Sequence, residues 1–490
     1  MIESVNISLL KNNSQEMQPR ISRGSILILL PKRACNTFFN AYPNATFFPP
    51  EPGYIEANTD FYTSSAALNP ACVFEPATPS QLSFAVSTLV RLDTLFAVVG
   101  GGHMPIPGAN NINGSGVLIA CKRLNQLRIS PDLGTVHVGP GNRWVDVYRY
   151  LAPYNRSAVG GRVGHVGVPG YLLGGGVSFF GNEYGWASAN VASFTAVLAN
   201  GSIVTATPTN EYSDLFWALR GGGNSFALVT DFGLRTVPSG KVYVGTTTFD
   251  ASVSGTQFLD KVYEYGLRAA DDPKAAVIPL VEFSSGSTTP SYSAYLFYNG
   301  ENAAPEPLEP FLSLPQTSRT FSYRTMYDWS LETDTELLLL TGFRQRFWVL
   351  PVGLNRTALQ IIHDTYIDSV RQFSSSGIYL TALAVMPVPR TFFTASQKAP
   401  GGDSEIDPFY LQTNANITAR LHENGLEIEA FHYLNDANKA PTDAVWAGFP
   451  RGNIQRLKQI WAKYDPDMVF TRLMPGGWKV EDAKDTVNQA

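Results

Sequence analysis

Phe96-Ala-Val-Val-Gly-Gly-Gly-His-Met-Pro105 is the stretch on which the reading of the fold turns. An apolar, β-prone run from Phe96 to Val99 stops at Gly100, Gly101 and Gly102, and His103 follows at once. Three glycines after a strand offer bare backbone N–H groups and reach positive φ without a side-chain clash, which suits a loop wrapped around a phosphate. Strands that end in glycine-rich turns are common, so the purpose of the histidine has to come from its neighbours. Upstream, Thr78-Pro79-Ser80-Gln81 has the form of a helix start: Thr as N-cap, Pro at the first helical position, Gln completing a capping box. Leu82, Val86, Leu89 and Val90 give that helix an apolar face. With a short strand at Cys72-Val-Phe-Glu-Pro76 the segment makes a β-α-β unit. Further strands are expected at Val117-Leu-Ile-Ala120 and Val136-His-Val138, and a helix capped by Asn142 carries Trp144, Val147, Tyr148 and Leu151.

Two more glycine clusters follow. From Val159 to Gly176 eight of 18 residues are glycine, a density that no ordinary helix or strand tolerates. Mobile linkers are polar and Ser-rich, whereas this segment interleaves Val, Leu and Tyr. It reads as a buried, close-fitting loop pressed on a flat ligand. A hairpin over residues 194–206 turns at Asn200-Gly201, a strong tight-turn signal. A short helix from Ser213 to Leu219 then feeds Arg220-Gly-Gly-Gly-Asn-Ser-Phe-Ala-Leu-Val-Thr230, a third cluster running into an apolar strand.

Composition bounds the rest. A chain of 490 residues, 44% hydrophobic and 16% charged, is globular and long enough for two domains. A net charge of −5 without a basic cluster disfavours nucleic acid as partner, and no apolar run reaches the length of a membrane span. Residues 1–34 read as a loose or processed N-terminus and residues 40–71 as irregular. Eight Asn-x-Ser/Thr sequons permit secretion and leave the compartment open. Three cysteines exclude a disulfide scaffold: Cys35 and Cys72 can pair in an oxidising compartment, and Cys121 reads as a buried thiol. From Lys241 the pattern changes to alternating runs such as residues 242–249 and 291–298, with helices such as residues 358–373 between them. This is the signature of a second α+β domain on a mostly antiparallel sheet. Another alternating strand is expected at residues 427–435, and a helix ending at Tyr464.

The chemistry narrows by exclusion. None of the glycine clusters has the G-x-G-x-x-G or G-x-x-x-x-G-K-S/T spacing, so a mobile nicotinamide or a nucleoside triphosphate is disfavoured. The six histidines and three cysteines show no H-x-x-x-H or C-x-x-C pairing, so no metal is expected. A G-x-S-x-G elbow in the right setting is absent too. A cofactor with a phosphate-bearing tail and a flat reactive ring fits what is left, and a flavin is such a cofactor.

Taken together, residues 98–105, Val138-Gly-Pro-Gly141, residues 160–170, Leu173-Gly-Gly-Gly176, Tyr184-Gly-Trp-Ala187, Leu219-Arg-Gly-Gly-Gly-Asn-Ser-Phe226 and Tyr464-Asp-Pro-Asp-Met-Val-Phe470 resemble the berberine bridge enzyme-like oxidases. These are flavoproteins of the vanillyl-alcohol oxidase/p-cresol methylhydroxylase superfamily, and the likeness is to the fungal branch. The resemblance covers residues 65–240 and 425–478. It implies a two-domain α+β fold: an N-terminal leader over 1–65, an FAD-binding domain of two small α/β subdomains over 66–238, a substrate domain with a helix-covered antiparallel sheet over 239–425, and a C-terminal segment over 426–480 completing the FAD domain. His103 matches the histidine that carries a covalent link to the flavin, and Gly100, Gly101, Gly102 and Gly108 match the pyrophosphate loop. Val166, Gly167, Val168, Gly170, Gly174, Gly175 and Gly176 match the backbone along the flavin, and Val229 and Thr230 the strand on the adenine side. Tyr433 and Asn435 match a Tyr-x-Asn near the flavin ring, where the tyrosine is a candidate base. A tyrosine needs help to act as a base near neutral pH. Glu427 and Glu429 share its strand face by the period of two, and either is the true base or a solvated carboxylate.

The departures carry information as well. Val163 stands where doubly linked members have a cysteine, so one covalent link at most is expected. Val99 replaces a frequent Arg, and Ala189 a frequent Asp. Val166 falls at the oxygen-gating position and is compatible with oxidase behaviour. The implied reaction is hydride transfer from a small organic, secondary-metabolite-like substrate to FAD, with O2 as the electron acceptor. Two other readings keep the fold but not this chemistry: a cyclase or isomerase without net redox, and a non-catalytic flavin-binding protein.

Overall fold

The computed structural model describes residues 2–10, 24–284, 287–340, 342–347, 349–372, 378–397, 433–437, 443–446 and 449–483. Three sheets organise them. The smallest runs in the order Thr46–Phe47, Val73–Phe74, Gly116–Ala120, Leu95–Val99, and its last three strands are parallel. Helix Pro79–Arg91 supplies the crossover. It begins as its residues dictate: the Thr78 hydroxyl accepts from the Gln81 N–H at 3.2 Å, and the Gln81 side chain accepts from the Ala77 N–H at 2.7 Å. Leu82, Ala85, Val86 and Leu89 are fully buried on its inner face.

The second sheet has six strands and is antiparallel, in the order Ile203–Ala206, Val191–Val197, Leu228–Val237, Thr135–Val138, Leu127–Ile129, with Ser157–Ala158 added beside Leu228–Val237. The expected hairpin at Asn200-Gly201 forms its edge, with Gly201 at φ +82°. The third sheet has eight strands, ordered Gln316–Arg319, Val242–Phe249, Ser291–Tyr298, Ala275–Ser284, Ile378–Pro387, Ile2–Leu10, Val349–Val352, with Ser322–Arg324 off this path. Its pairs are antiparallel throughout. One face packs Val277, Val281, Phe283, Ala294, Leu296, Leu383 and Val385 against helices Gly255–Arg268 and Arg356–Gln372, forming a separate apolar core. The opposite face is the one that matters for the site.

Several local expectations are corrected. Residues 2–10 are a strand of the large sheet, and residues 24–41 and 52–59 are helices. Both helices were obscured by proline, which sits inside the first (Pro31) and opens the second (Pro52); the buried face Ala34, Cys35, Phe38 keeps helical spacing. Val168–Leu173 is a short helix inside the glycine-rich segment, opened by Pro169 in its first turn and closed at Gly174. Arg143, not Asn142, occupies the N-cap of Trp144–Leu151, and its N–H donates to the Asp146 carboxylate at 3.1 Å. Asn142 instead donates to the Gly139 carbonyl at 2.9 Å. The strand expected over 427–435 falls outside the described residues up to His432, and the remainder, Tyr433 to Asn435, lies at a turn. Cys35 and Cys72 form a disulfide, and Cys121 is a buried free thiol. Among the described residues no helix is long and apolar enough to cross a membrane.

Candidate functional site

A cavity of about 1060 Å³ lies where the glycine-rich segments meet the free face of the eight-stranded sheet. The alternation of the strands delivers that face: Thr246 and Thr248, Ile278, Leu280, Glu282 and Ser284, Ser293 and Tyr295, and Leu380, Ala382, Ala384 and Met386 all line the cavity at a spacing of two. The floor is aliphatic, with hydroxyls and one carboxylate at its edge. The Ser293 hydroxyl donates to Glu282 at 2.8 Å. Burial holds the Glu282 carboxyl above the usual carboxylate range despite that bond. Glu336 on the helix Met326–Leu338 is raised as well, by burial and then by repulsion from Glu332 and Glu282.

On the opposite wall the strand Leu95–Val99 delivers Gly100, Gly101, Gly102 and His103 into the cavity. Among the described residues, no protein acceptor meets the N–H groups of Gly101, Gly102, His103 or Met104. The carbonyls of the same turn are bound: Tyr62 N–H donates to Gly102 at 3.0 Å, and the Arg143 guanidinium donates to Gly101 at 3.1 and 3.3 Å while reaching Asp60 at 2.8 Å. The loop is thus held by its oxygens and presents its nitrogens. Buried backbone N–H groups are rarely left unpaired, so an anion with several acceptor oxygens fits there. Glycine is required for a packing reason too. A Cβ on Gly101 would overlap Cα of Gly167, so the two glycine segments touch backbone to backbone.

His103 stacks on Tyr62 at a centroid distance of 4.1 Å, and its ring lies 6.1 Å from that of His165. Its Nδ1 is buried with no hydrogen-bond partner. Burial, with His165 and Arg143 nearby, pulls its pKa down to about 3. The imidazole is therefore neutral and keeps a lone pair at any ordinary pH.

At the far end, the Tyr433 oxygen accepts from the Val177 N–H at 3.2 Å and from Asn435 Nδ2 at 2.9 Å. Asn435 also donates to the Tyr171 carbonyl at 3.0 Å, and a Cβ on Gly174 would overlap its amide. Asp436 and Arg162 line the cavity beside them. Burial raises the Asp436 carboxyl to about 6, and Arg162 offsets part of that rise.

Of the residues expected at the site, Gly100, Gly101, Gly102, His103, Val166, Gly167, Gly170, Gly174, Val229, Tyr433 and Asn435 line this cavity. Gly108, Val168, Gly175, Gly176 and Thr230 do not: Val168 is fully buried in the core, and the Thr230 hydroxyl donates to the Thr195 carbonyl at 3.1 Å. Glu429 lies outside the described residues. Tyr62, Arg143, Arg162, Glu282, Tyr295 and Asp436 were not anticipated. Asp436 adjoins the Tyr-x-Asn motif, and Glu282 interrupts the apolar run Ala275–Ser284, whose sequence has no alternation to mark a face. Among the described residues no group of His, Cys, Asp and Glu could hold a metal.

FAD suits these groups. The unpaired N–H row fits a pyrophosphate, the lone Nδ1 of His103 fits a ring carbon, and the volume exceeds what a small substrate alone requires. Residues 70–207 match the FAD binding domain family. The chain is 31% identical to the FAD-dependent monooxygenase prx3 of Penicillium roqueforti over 506 residues, spanning 94% of this chain and 96% of that one. It is 38% identical to the FAD-dependent monooxygenase macF of Penicillium terrestre over 465 residues, spanning 88% and 85%. A glucooligosaccharide oxidase from Acremonium strictum, described as carrying a 6-S-cysteinyl, 8α-N1-histidyl FAD, shares the fold with a TM-score of 0.64 at 17% identity, over 93% of this chain and 100% of that one.

Proposed function

We propose, from the premise that this chain belongs to the FAD-linked oxidoreductases that include the fungal FAD-dependent monooxygenases and the berberine bridge enzyme-like oxidases, that it is an oxidase of a small, largely apolar organic substrate. The chemistry supplied by bound FAD is acceptance of a hydride from a substrate carbon and delivery of the electron pair to O2. The chain's own residues do the rest. The N–H groups of Gly101 to Met104 hold the pyrophosphate, and His103, neutral and stacked on Tyr62, anchors the flavin through a single covalent link. The Acremonium strictum enzyme carries a second, cysteinyl link; Val163 lines the cavity here and cannot form one. The aliphatic sheet face from Ile278 to Met386 seats the substrate body and excludes water, while Glu282 and Tyr295 receive its polar end.

Proton removal falls to Asp436, the carboxylate that the cavity holds beside Tyr433. With its pKa near 6 it is ionised at neutral pH yet basic enough to accept a substrate O–H proton. Tyr433 positions, its oxygen fixed by Val177 and Asn435. The observation that carries the reading is the meeting of the unpaired N–H row, the lone Nδ1 of His103, and the side chains of Asp436 and Tyr433 around one cavity.

Acid precipitation of the purified protein tests it. Flavin absorbance should stay in the wild-type pellet and move to the supernatant in His103→Ala. Release of the flavin from wild type would defeat the covalent assignment. Turnover of a substrate without anaerobic bleaching or peroxide would defeat the oxidase reading in favour of a cyclase.

A further inference from the structure

Five of the eight sequons fall where burial is described, at Asn44, Asn113, Asn155, Asn200 and Asn355, and all five asparagines are exposed. Of the 16 other asparagines with described burial, only 6 are exposed. The amide nitrogens separate the two groups further. Nine of the others, Asn58, Asn142 and Asn182 among them, spend Nδ2 on a bond within the protein. None of the five sequon asparagines does so among the described residues. At three of them the carbonyl end is turned back on the chain. Asn113 Oδ1 accepts from the Ser115 N–H at 3.0 Å and its hydroxyl at 2.6 Å, Asn200 from the Ser202 N–H at 2.9 Å, and Asn355 from the Thr357 N–H at 2.8 Å. That geometry occupies Oδ1 and leaves Nδ2 without a partner among the described residues. None of the five lines the cavity.

An independent observation points to the same surroundings. Cys35 and Cys72 are bridged and 1% and 0% exposed, joining the helix Gly24–Ala41 to the residue that precedes strand Val73–Phe74, 37 positions along the chain. Such bridges form and persist in oxidising compartments and are rare in reducing ones. The remaining thiol, Cys121, is buried and raised to about 12, so it has no ready thiolate to exchange with the bridge.

We propose that this chain folds in an oxidising, glycosylating compartment and carries N-linked glycans on Asn44, Asn113, Asn155, Asn200 and Asn355. In each transfer the asparagine Nδ2 loses a proton and bonds to the anomeric carbon of a polyprenyl-diphosphate-linked oligosaccharide. The carbon–oxygen bond to the diphosphate breaks, and the diphosphate leaves. Closing Cys35–Cys72 passes two electrons and two protons to a disulfide-bearing oxidant, which ends as the dithiol.

The test uses the full chain made in a filamentous fungus, alkylated without reduction, then treated with peptide:N-glycosidase in H₂¹⁸O and mapped by mass spectrometry. Conversion to ¹⁸O-labelled Asp at three or more of the five positions, with a Cys35–Cys72 cross-linked peptide, is the expected result. Labelling at two or fewer, or alkylation of both Cys35 and Cys72, overturns the proposal. Asn113→Gln should keep its flavin and activity while losing one glycan, because the residue is exposed and does not line the cavity.

Discussion

Asp436 keeps its proton to about pH 6 because burial costs its charged form more than the nearby Arg162 returns. A base with that pKa gives an acidic limb in the pH profile: activity rises as pH passes through 6 and is flat above it. Asp436→Asn should retain flavin, lose about 10²–10⁴-fold in kcat/KM, and lose the limb. Stopped-flow flavin reduction across pH 5–8 checks this, and a variant that keeps both rate and limb removes Asp436 from the chemistry. His165 works in the opposite sense. Its folded pKa is lowered to about 4, by burial and then Arg143, below the ordinary value of 6.5. Its neutral form is the one the fold accepts, so stability is intact above pH 6.5 and declines as pH falls toward 4. Between pH 7 and 5, wild type should lose about 1 kcal/mol more than His165→Gln, after allowance for solvent screening; equal losses in urea titrations would refute the assignment. The sequence marked His103, Tyr433 and Asn435, because the motif itself places them. Asp436 could not be marked, since its value as a base comes from burial beside Arg162, a residue 274 positions away by number (436 − 162).

At the level of elements, the phosphate loop depends on two segments 66 residues apart (167 − 101) sharing one backbone contact. Gly101→Ala puts a methyl on Cα of Gly167 and should cost about 1–3 kcal/mol through forced separation of the two glycine segments. It should also strip the flavin. Gly170→Ala, whose Cβ meets nothing within 4 Å, should leave the melting temperature unchanged or slightly raised in the helix Val168–Leu173. Thermal melts and flavin content of the two variants decide it; similar losses in both would mean that the contact is not the constraint. Glycine density disclosed this segment but misread its conformation. Eight glycines argue against a helix on propensity alone, yet Pro169, the buried Tyr171 and Leu172, and the bond from the Gly174 N–H to the Gly170 carbonyl at 3.1 Å are enough for a short one.

Across the whole molecule, the Cys35–Cys72 bridge fastens an N-terminal helix to the sheet that presents Gly100 to His103. Closing a loop of this length restricts the unfolded chain by about 3–4 kcal/mol. A Cys35→Ala, Cys72→Ala double variant should lose about that much in denaturant titration while its folded fraction still binds flavin; an unchanged midpoint would show that the bridge carries no stability. The sequence by itself determined the local grammar: the capped helix at Thr78, the Asn200-Gly201 hairpin, the alternation that divides the large sheet into two faces, and the glycine clusters that FAD-binding chains share. Each depends on interactions between residues a few positions apart, so spacing reveals it. Only the tertiary structure decided which face of that sheet meets the glycine loops and that residues 24–41 are a helix. It alone joined Asp436 to Arg162 and left the N–H groups of Gly101 to Met104 unpaired. Those outcomes are set by long-range packing and desolvation, which depend on which distant surfaces come together and are written in no local pattern.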